Sequence, residues 1–297
     1  MEHKSEDRLE LISLKTYTKV SLLLKISRFT SLFIYLFKWE TKFNVSIRLK
    51  YKIQLSIYVC LVFIEYLSLP QLKLLLESII FQRLWDDIYD DKHYTLEELI
   101  TIKNAIFDGK LCKIEVASKL RNIFLDLQKK LTAVNPLAVT SFINETKNII
   151  EGYEYEFCLS KSNLNQASFN NYLRYASTTI GLKYIMSVIN IVLVKSVSDK
   201  NMFDKAYENI EIASESIRLA NDISGHNKEK MQNKVDALTI YESVQKCEEQ
   251  EAKKYIFDRI YSNLFKFYKE DLSNNKFNNI LCKISSIAIK RYLEKKL

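Results

Sequence analysis

Four glycines and two prolines are the only strong helix breakers in 297 residues. These two residue types interrupt helices at about 1 and 3 kcal/mol relative to alanine, so a chain nearly free of them defaults to long helices. Leu, Ile, Lys and Glu are abundant, and 47% of the residues are hydrophobic, enough to bury a substantial core. An all-α fold follows. No internal repeat, low-complexity tract or linker-like shift divides the chain. We therefore read residues 1–19 as a polar N-terminal lead-in and 20–297 as a single domain of ten or so helices.

Helical pattern runs through 20–38 and 45–68, and Pro70 marks the start of a third helix. Thr95 and Glu98 have the spacing of a capping box, so the next helix should run from there to Phe107 and stop at Gly109. Further helices fit 112–133, 138–160 and a stretch from Phe169 that carries Gly181 inside it, where a kink is expected. The remaining pattern fits 202–224, 228–246, 249–269 and 275–295.

The net charge of +8 raises a nucleic-acid reading. Its 44 basic residues are interleaved with 36 acidic ones, however, and form no basic stripe, so no nucleic-acid partner is expected. The five cysteines form no CxxC or metal-ligand spacing and fit reduced, mostly buried thiols. The charged N-terminus does not resemble a secretory signal, and a cytoplasmic location is expected. The most apolar run, Leu55 to Ile64, is about half of what a membrane-spanning helix needs. The segment Ser21 to Phe37 is interrupted by Lys25 and Arg28, and reads as an amphipathic helix packed on the core.

The third helix delivers four carboxylates in six residues, Asp86-Asp87-Ile88-Tyr89-Asp90-Asp91. Residues four apart share a helix face, so Asp86 pairs with Asp90 and Asp87 with Asp91. Like charges at that spacing repel, and carboxylates at a helix C-terminus also oppose the helix dipole. Hard divalent cations, which take oxygen ligands and substrate phosphate together, would relieve both effects. An acidic, solvated helix end is the plain alternative. A second constellation, Asn221-Asp222-Ile223-Ser224-Gly225-His226-Asn227-Lys228-Glu229, begins 221 − 86 = 135 residues later. Asn221 and Glu229 are two turns apart on one face with Gly225 between them, and Lys228 adds a fixed positive charge. A helix end with a glycine cap is the alternative here.

Together these motifs resemble the DDxxD and (N/D)Dxx(S/T)xxxE metal motifs of class I terpene synthases. Asp86 to Asp90, followed by Tyr94-Thr95-Leu96-Glu97-Glu98-Leu99, resembles the DDIYD…YGTLEEL stretch of plant members. Arg218-Leu219-Ala220-Asn221-Asp222 resembles their RLxND, and Arg291-Tyr292 the Arg-Tyr pair of microbial members. The likeness covers residues 40–295 and suits a single-domain, microbial-type enzyme. One departure is Gly225, where the family carries a Ser or Thr ligand.

The resemblance implies a class I terpenoid synthase-like helical bundle around an apolar active-site cavity, with three Mg²⁺ ions (Mn²⁺ as a substitute) and a prenyl diphosphate substrate. Asp86 and Asp90 would serve the first metal cluster, and Asn221 and Glu229, with the Gly225 position, the second. Arg174, Arg218, Lys228, Arg291 and Tyr292 would hold diphosphate. Arg174 would sense that group, and the Thr178 to Gly181 backbone would face the carbocation. Phe81, Trp85 and Tyr89 would wall the cavity. Farnesyl diphosphate and a sesquiterpene product, in a monomer or homodimer, are the expected case. Two rivals stay open at this point. A chain-elongating prenyl diphosphate synthase would carry a second DDxxD, which Asn221 and Glu229 do not form. A helical scaffold with two acidic patches would need no chemistry at all.

Overall fold

The computed structural model describes residues 21–91, 93–159, 164–269 and 275–294. Among them are thirteen helices and no strand. In chain order these are α1 (Leu22–Phe43), α2 (Leu49–Phe63), α3 (Leu69–Asp90), α4 (Leu96–Phe107), α5 (Glu115–Val134), α6 (Val139–Cys158) and α7 (Gln166–Thr179). They continue with α8 (Leu182–Leu193), α9 (Val197–Glu208), α10 (Ile210–Met231), α11 (Ala237–Gln245), α12 (Glu249–Lys269) and α13 (Lys276–Leu293). The polar lead-in expected over 1–19 lies outside the described residues.

Local chemistry sets most of these boundaries. Ahead of α3, Gln71 Oε1 accepts from the Ser68 N–H and hydroxyl, both at 2.8 Å, and Pro70 sits in the first turn where a missing N–H does no harm. Thr95 caps α4 as its sequence requires, with the Thr95 N–H donating to Glu98 at 2.8 Å and the Glu98 N–H to Thr95 at 3.3 Å. Gly109 and Gly181 both take positive φ, 70° and 75°, a conformation glycine adopts without a Cβ clash. The second of these ends the helical run outright, separating α7 from α8 where a kink within one helix was expected. Asn165 starts α7 three residues ahead of the expected position by exchanging hydrogen bonds with Ser168.

The clearest correction falls on 202–246. The expected break between 224 and 228 does not exist, because α10 runs unbroken through Gly225, His226 and Asn227. Its buried stripe, including Ile217, Leu219, Ala220, Ile223 and His226, carries the helix across a glycine that costs about 1 kcal/mol. The chain breaks at Asn209 instead, and again between Gln232 and Asp236, where Asn233 has φ 57°. Asp236 then caps α11 by accepting from the Thr239 N–H at 2.7 Å.

The chain divides into two compact units. The first comprises residues 18–150 with 184–199. Its centre is α3, packed on α1, α2 and α5. An aromatic ladder of Phe81, Phe124, Phe142 and Tyr184 runs through it at centroid spacings of 5.9, 6.1 and 5.4 Å. Burying each such ring contributes about 1.5–3 kcal/mol. A carboxylate interrupts this core. Glu77, 2% exposed, accepts from Lys130 of α5 at 2.7 and 2.8 Å and from the Tyr35 hydroxyl of α1. Only the second half of α1 packs inward, through Leu32, Leu36, Trp39 and Phe43, while Leu22, Leu23 and Ile26 stay exposed.

The second unit comprises 151–183 with 200–294 and is organised round α10, which packs on α7, α11, α12 and α13. These contacts bury small residues on both α10 (Ala213, Ser216, Ala220) and α13 (Ser285, Ser286). The hydroxyls of Ser216 and Ser285 turn back to their own helix carbonyls at 2.8 and 2.9 Å. No described helix is by itself long and apolar enough to cross a membrane. Among the described residues no disulfide joins the five cysteines, and only Cys60 and Cys282 are buried, fewer than the sequence suggested; Cys158 is exposed.

Candidate metal centre

In the first unit the last turn of α3 carries Asp86, Asp87 and Asp90, with Asp91 as C-cap. The helix supplies its own counter-ion. Arg83 reaches both Asp86, three residues on, and Asp87, four residues on at 2.6 Å. Its guanidinium also lies over the Tyr51 ring at 5.9 Å. Burial opposes the Arg83 charge, but Asp86 and Asp87 outweigh it and raise its pKa. Burial likewise raises the Asp87 carboxyl in spite of Arg83. The like-charge stress read from the sequence is therefore partly relieved by an arginine on the same helix, a partner the acidic spacing alone did not reveal. Phe81, Trp85 and Tyr89 are all buried next to this turn. Phe81 belongs to the aromatic ladder, and Trp85 packs on Tyr89 at 6.1 Å.

In the second unit α10 brings Asn221, Gly225 and Glu229 onto one half-buried face, as the spacing required. A Cβ at position 225 would stand 2.9 Å from Glu229 Oε1, so the carboxylate occupies the room that glycine leaves. Glu229 Oε2 is buried without a hydrogen-bond partner. Burial pushes the Glu229 carboxyl well above the usual carboxylate range, and the negative charge of Asp222 adds to it. An uncompensated buried carboxylate oxygen is costly, and a cation is the natural partner for one.

Behind that face lies a closed ionic network. Arg218, 8% exposed, donates to Glu156 at 2.8 and 3.2 Å and to the Tyr172 hydroxyl at 2.6 Å, and its Nε stands 2.8 Å from Asp222. Tyr172 donates to Asp222 at 2.7 Å, and the Ala237 N–H donates to the same oxygen at 3.1 Å. Thr179 donates to Glu156 at 2.6 Å. The arginine expected to bind diphosphate is thus already held by two carboxylates. Glu156 and Tyr172 were not singled out from the sequence, since they lie 62 and 46 residues from Arg218 and carry no motif.

The other expected residues are less gathered. Arg174 is exposed on α7 and lies over the Tyr175 ring at 5.4 Å, while its carbonyl accepts from the Thr178 hydroxyl at 3.0 Å. Gly181 ends that helix. Lys228 is exposed on α10, and at the end of α13 Arg291 is exposed and Tyr292 half-buried. The donors on both helices are oxygens, from carboxylates at α3 and from an amide and a carboxylate on α10. Each helix's donors, taken by themselves, are of the kind that suits a hard divalent cation.

Comparison with known proteins agrees with this chemistry. A family described as "Terpene synthase family 2, C-terminal metal binding" matches residues 78–264, more than half of the chain. Abietadiene synthase from Abies grandis shares the fold with a TM-score of 0.73 at 17% identity, over 92% of this chain and 40% of that one. Isoprene synthase from grey poplar leaves (Populus x canescens) gives 0.71 at 15%, over 91% and 54%. Linalool/nerolidol synthase from Streptomyces clavuligerus gives 0.67 at 11%, over 89% and 94%. The chain thus spans about half or less of the two plant proteins and nearly all of the bacterial one. No curated protein sequence matches it. With the two acidic motifs, the all-α fold and a family match running from Ser78 on α3 to Leu264 on α12, the chain belongs to the terpene synthase family, as a class I, metal-binding member.

Proposed function

We propose that the chain is a Mg²⁺-dependent terpene synthase that ionises a prenyl diphosphate, farnesyl diphosphate by preference, and rearranges the carbocation to a sesquiterpene. The observation that carries this reading is the α10 face, where Glu229 leaves a buried oxygen unpartnered beside Asn221 and Gly225 in a chain of this family. Asp86 and Asp90 on α3, with Asn221 and Glu229 on α10, would hold the ions, three in number. Bound there, Mg²⁺ (or Mn²⁺) supplies Lewis acidity to the departing diphosphate. Arg174, Lys228 and the Arg291-Tyr292 pair orient that group, and Arg218, held in its network, adds positive field from behind, as the allylic C–O bond breaks and its electron pair leaves with the phosphate. Phe81, Trp85 and Tyr89 exclude water and face the cation, each ring contributing about 0.5–2 kcal/mol. The Thr178 to Gly181 backbone offers carbonyl oxygen to the same charge. The cation ends by losing a proton, giving a hydrocarbon, or by adding water and releasing a proton from it, giving an alcohol.

On this reading residues 20–297 act as one catalytic α domain in the cytoplasm, as a monomer or homodimer. The test is incubation with geranyl, farnesyl and geranylgeranyl diphosphates, with and without Mg²⁺, followed by analysis of volatiles. Metal-dependent release of a fifteen-carbon hydrocarbon or alcohol is expected from farnesyl diphosphate. Longer chains that keep their diphosphate would make the protein an elongase instead, and silence with all three substrates would make it a scaffold.

A further inference from the structure

About 100° round α10 from Gly225, the chain carries a second cluster of donors that the chemistry above does not use. His226 is 0% exposed, and so is Asp236, whose Oδ2 lies 2.6 Å from His226 Nδ1. On the other side of the ring, Nε2 stands 3.8 Å from Glu242 Oε1 on α11 and 3.7 Å from Glu249 Oε2 on α12. Both distances are too long for a hydrogen bond. Accordingly Nε2 and Glu242 Oε1 are buried atoms with no hydrogen-bond partner. The three donor atoms lie within 4.8 Å of one another.

The tautomer follows from Asp236. A carboxylate only accepts, so Nδ1 carries a ring proton, and Nε2 is the nitrogen left to face the two carboxylates as a ligand atom. Three electron-rich atoms around one gap repel unless something positive sits among them. The spacing is informative, because ligands held about 2.0–2.2 Å from a common ion stand roughly 3.5 Å apart. The Asp236 contact is the arrangement that orients a metal-binding histidine, and Asp236 is itself fixed as the cap of α11 through the Thr239 N–H. Lys253 pairs with the other oxygen of Glu249, and Lys230 lies 3.4 Å from Oε2. The Lys253 hydrogen bond holds the Glu249 carboxyl down to about 2, which keeps it ionised.

We propose that His226 Nε2, Glu242 and Glu249 form a site for a divalent transition-metal ion, Zn²⁺ being the best match, that ties α10, α11 and α12 together. One imidazole and two carboxylates leave a fourth position for water, a donor set that suits Zn²⁺. Mg²⁺ is a poor match, since it favours an all-oxygen octahedron. The ion braces the helix that bears Asn221 and Glu229, and it touches neither. The inference does not depend on the reaction proposed above.

The test is metal binding rather than turnover. Chelator-stripped protein is titrated with Co²⁺ in excess Mg²⁺, following the visible d–d absorption, and Zn²⁺ retained after gel filtration is counted by mass spectrometry. One equivalent per chain is expected. Asp86→Asn should leave that binding unchanged. Glu242→Gln and His226→Gln should each weaken it at least about tenfold, and Asp236→Asn, which keeps the helix cap, about 10–100-fold. If His226→Gln fails to fold, Glu242→Gln, at the rim, carries the test alone. Retention equal in wild type and Glu242→Gln would overturn the site. So would an absence of bound metal with both His226 ring nitrogens protonated by NMR.

Discussion

At the end of α3, two carboxylates share Arg83 in a setting where the three side chains are 31%, 54% and 43% exposed. Behind α10, Asp222 of that helix and Glu156 of α6 share Arg218 with exposures of 0%, 24% and 9%. The arithmetic of charge is the same, but the solvent is not. Exposed pairs are worth about 0.2–1 kcal/mol and exchange partners readily. Breaking a buried pair by removing one member costs about 3–5 kcal/mol, because the other is stranded. Arg83 is thus a counter-ion that an arriving cation can replace, whereas Arg218 belongs to the frame on which the second motif is mounted.

The sharpest way to break this contrast is Arg218→Met. It should lower the unfolding free energy by about 3–5 kcal/mol in urea titrations, and a loss under 1 kcal/mol would show the network is not holding α10. Asp86→Ala should abolish Mg²⁺-dependent turnover yet shift stability by no more than about 0.5 kcal/mol; persistent activity would remove the α3 turn from the proposed metal site. Gly225→Ala should add up to about 1 kcal/mol of helix stability while pushing Glu229 aside, so half-maximal activity needs several-fold more Mg²⁺. Gly225→Ser, which returns an oxygen ligand, should recover part of that loss, and identical metal requirements in all three proteins would contradict the close approach of Glu229. The smallest effect belongs to Arg83→Gln. Freeing Asp86 and Asp87 should tighten Mn²⁺ binding by about 2–5-fold at low salt, as read by EPR, and the gain should vanish at high salt.

Much of the frame was legible because it is written locally. Thr95 with Glu98, Pro70 and Gly109 act within a few residues, and the two acidic motifs follow from helical spacing alone, whereas Gly181 was read as a kink inside one helix and ends it instead. What failed was tertiary. Gly225-His226-Asn227 looks like a helix end, but the apolar stripe from Ile217 to Ile223 and the buried imidazole hold α10 together through it. The partners of Arg218 were equally hidden, because nothing at Glu156 or Tyr172 announces an arginine many turns away. Arg83 stood in plain view three residues before Asp86, and only its rotamer told whether it faced the acids.

Glu77 has a consequence for the acidic turn that lies 86 − 77 = 9 residues further along α3. Its carboxylate fits Lys130 and Tyr35 as a key fits a keyway. Sliding the helix by one residue would turn it about 100° and strand that charge in hydrocarbon. Nine residues correspond to about two and a half turns, a net offset of about half a revolution, and roughly 13–14 Å of travel, so the bearing of Asp86 is locked from inside the core. A side chain remote from any reaction thereby sets the compass heading of the acids beyond it.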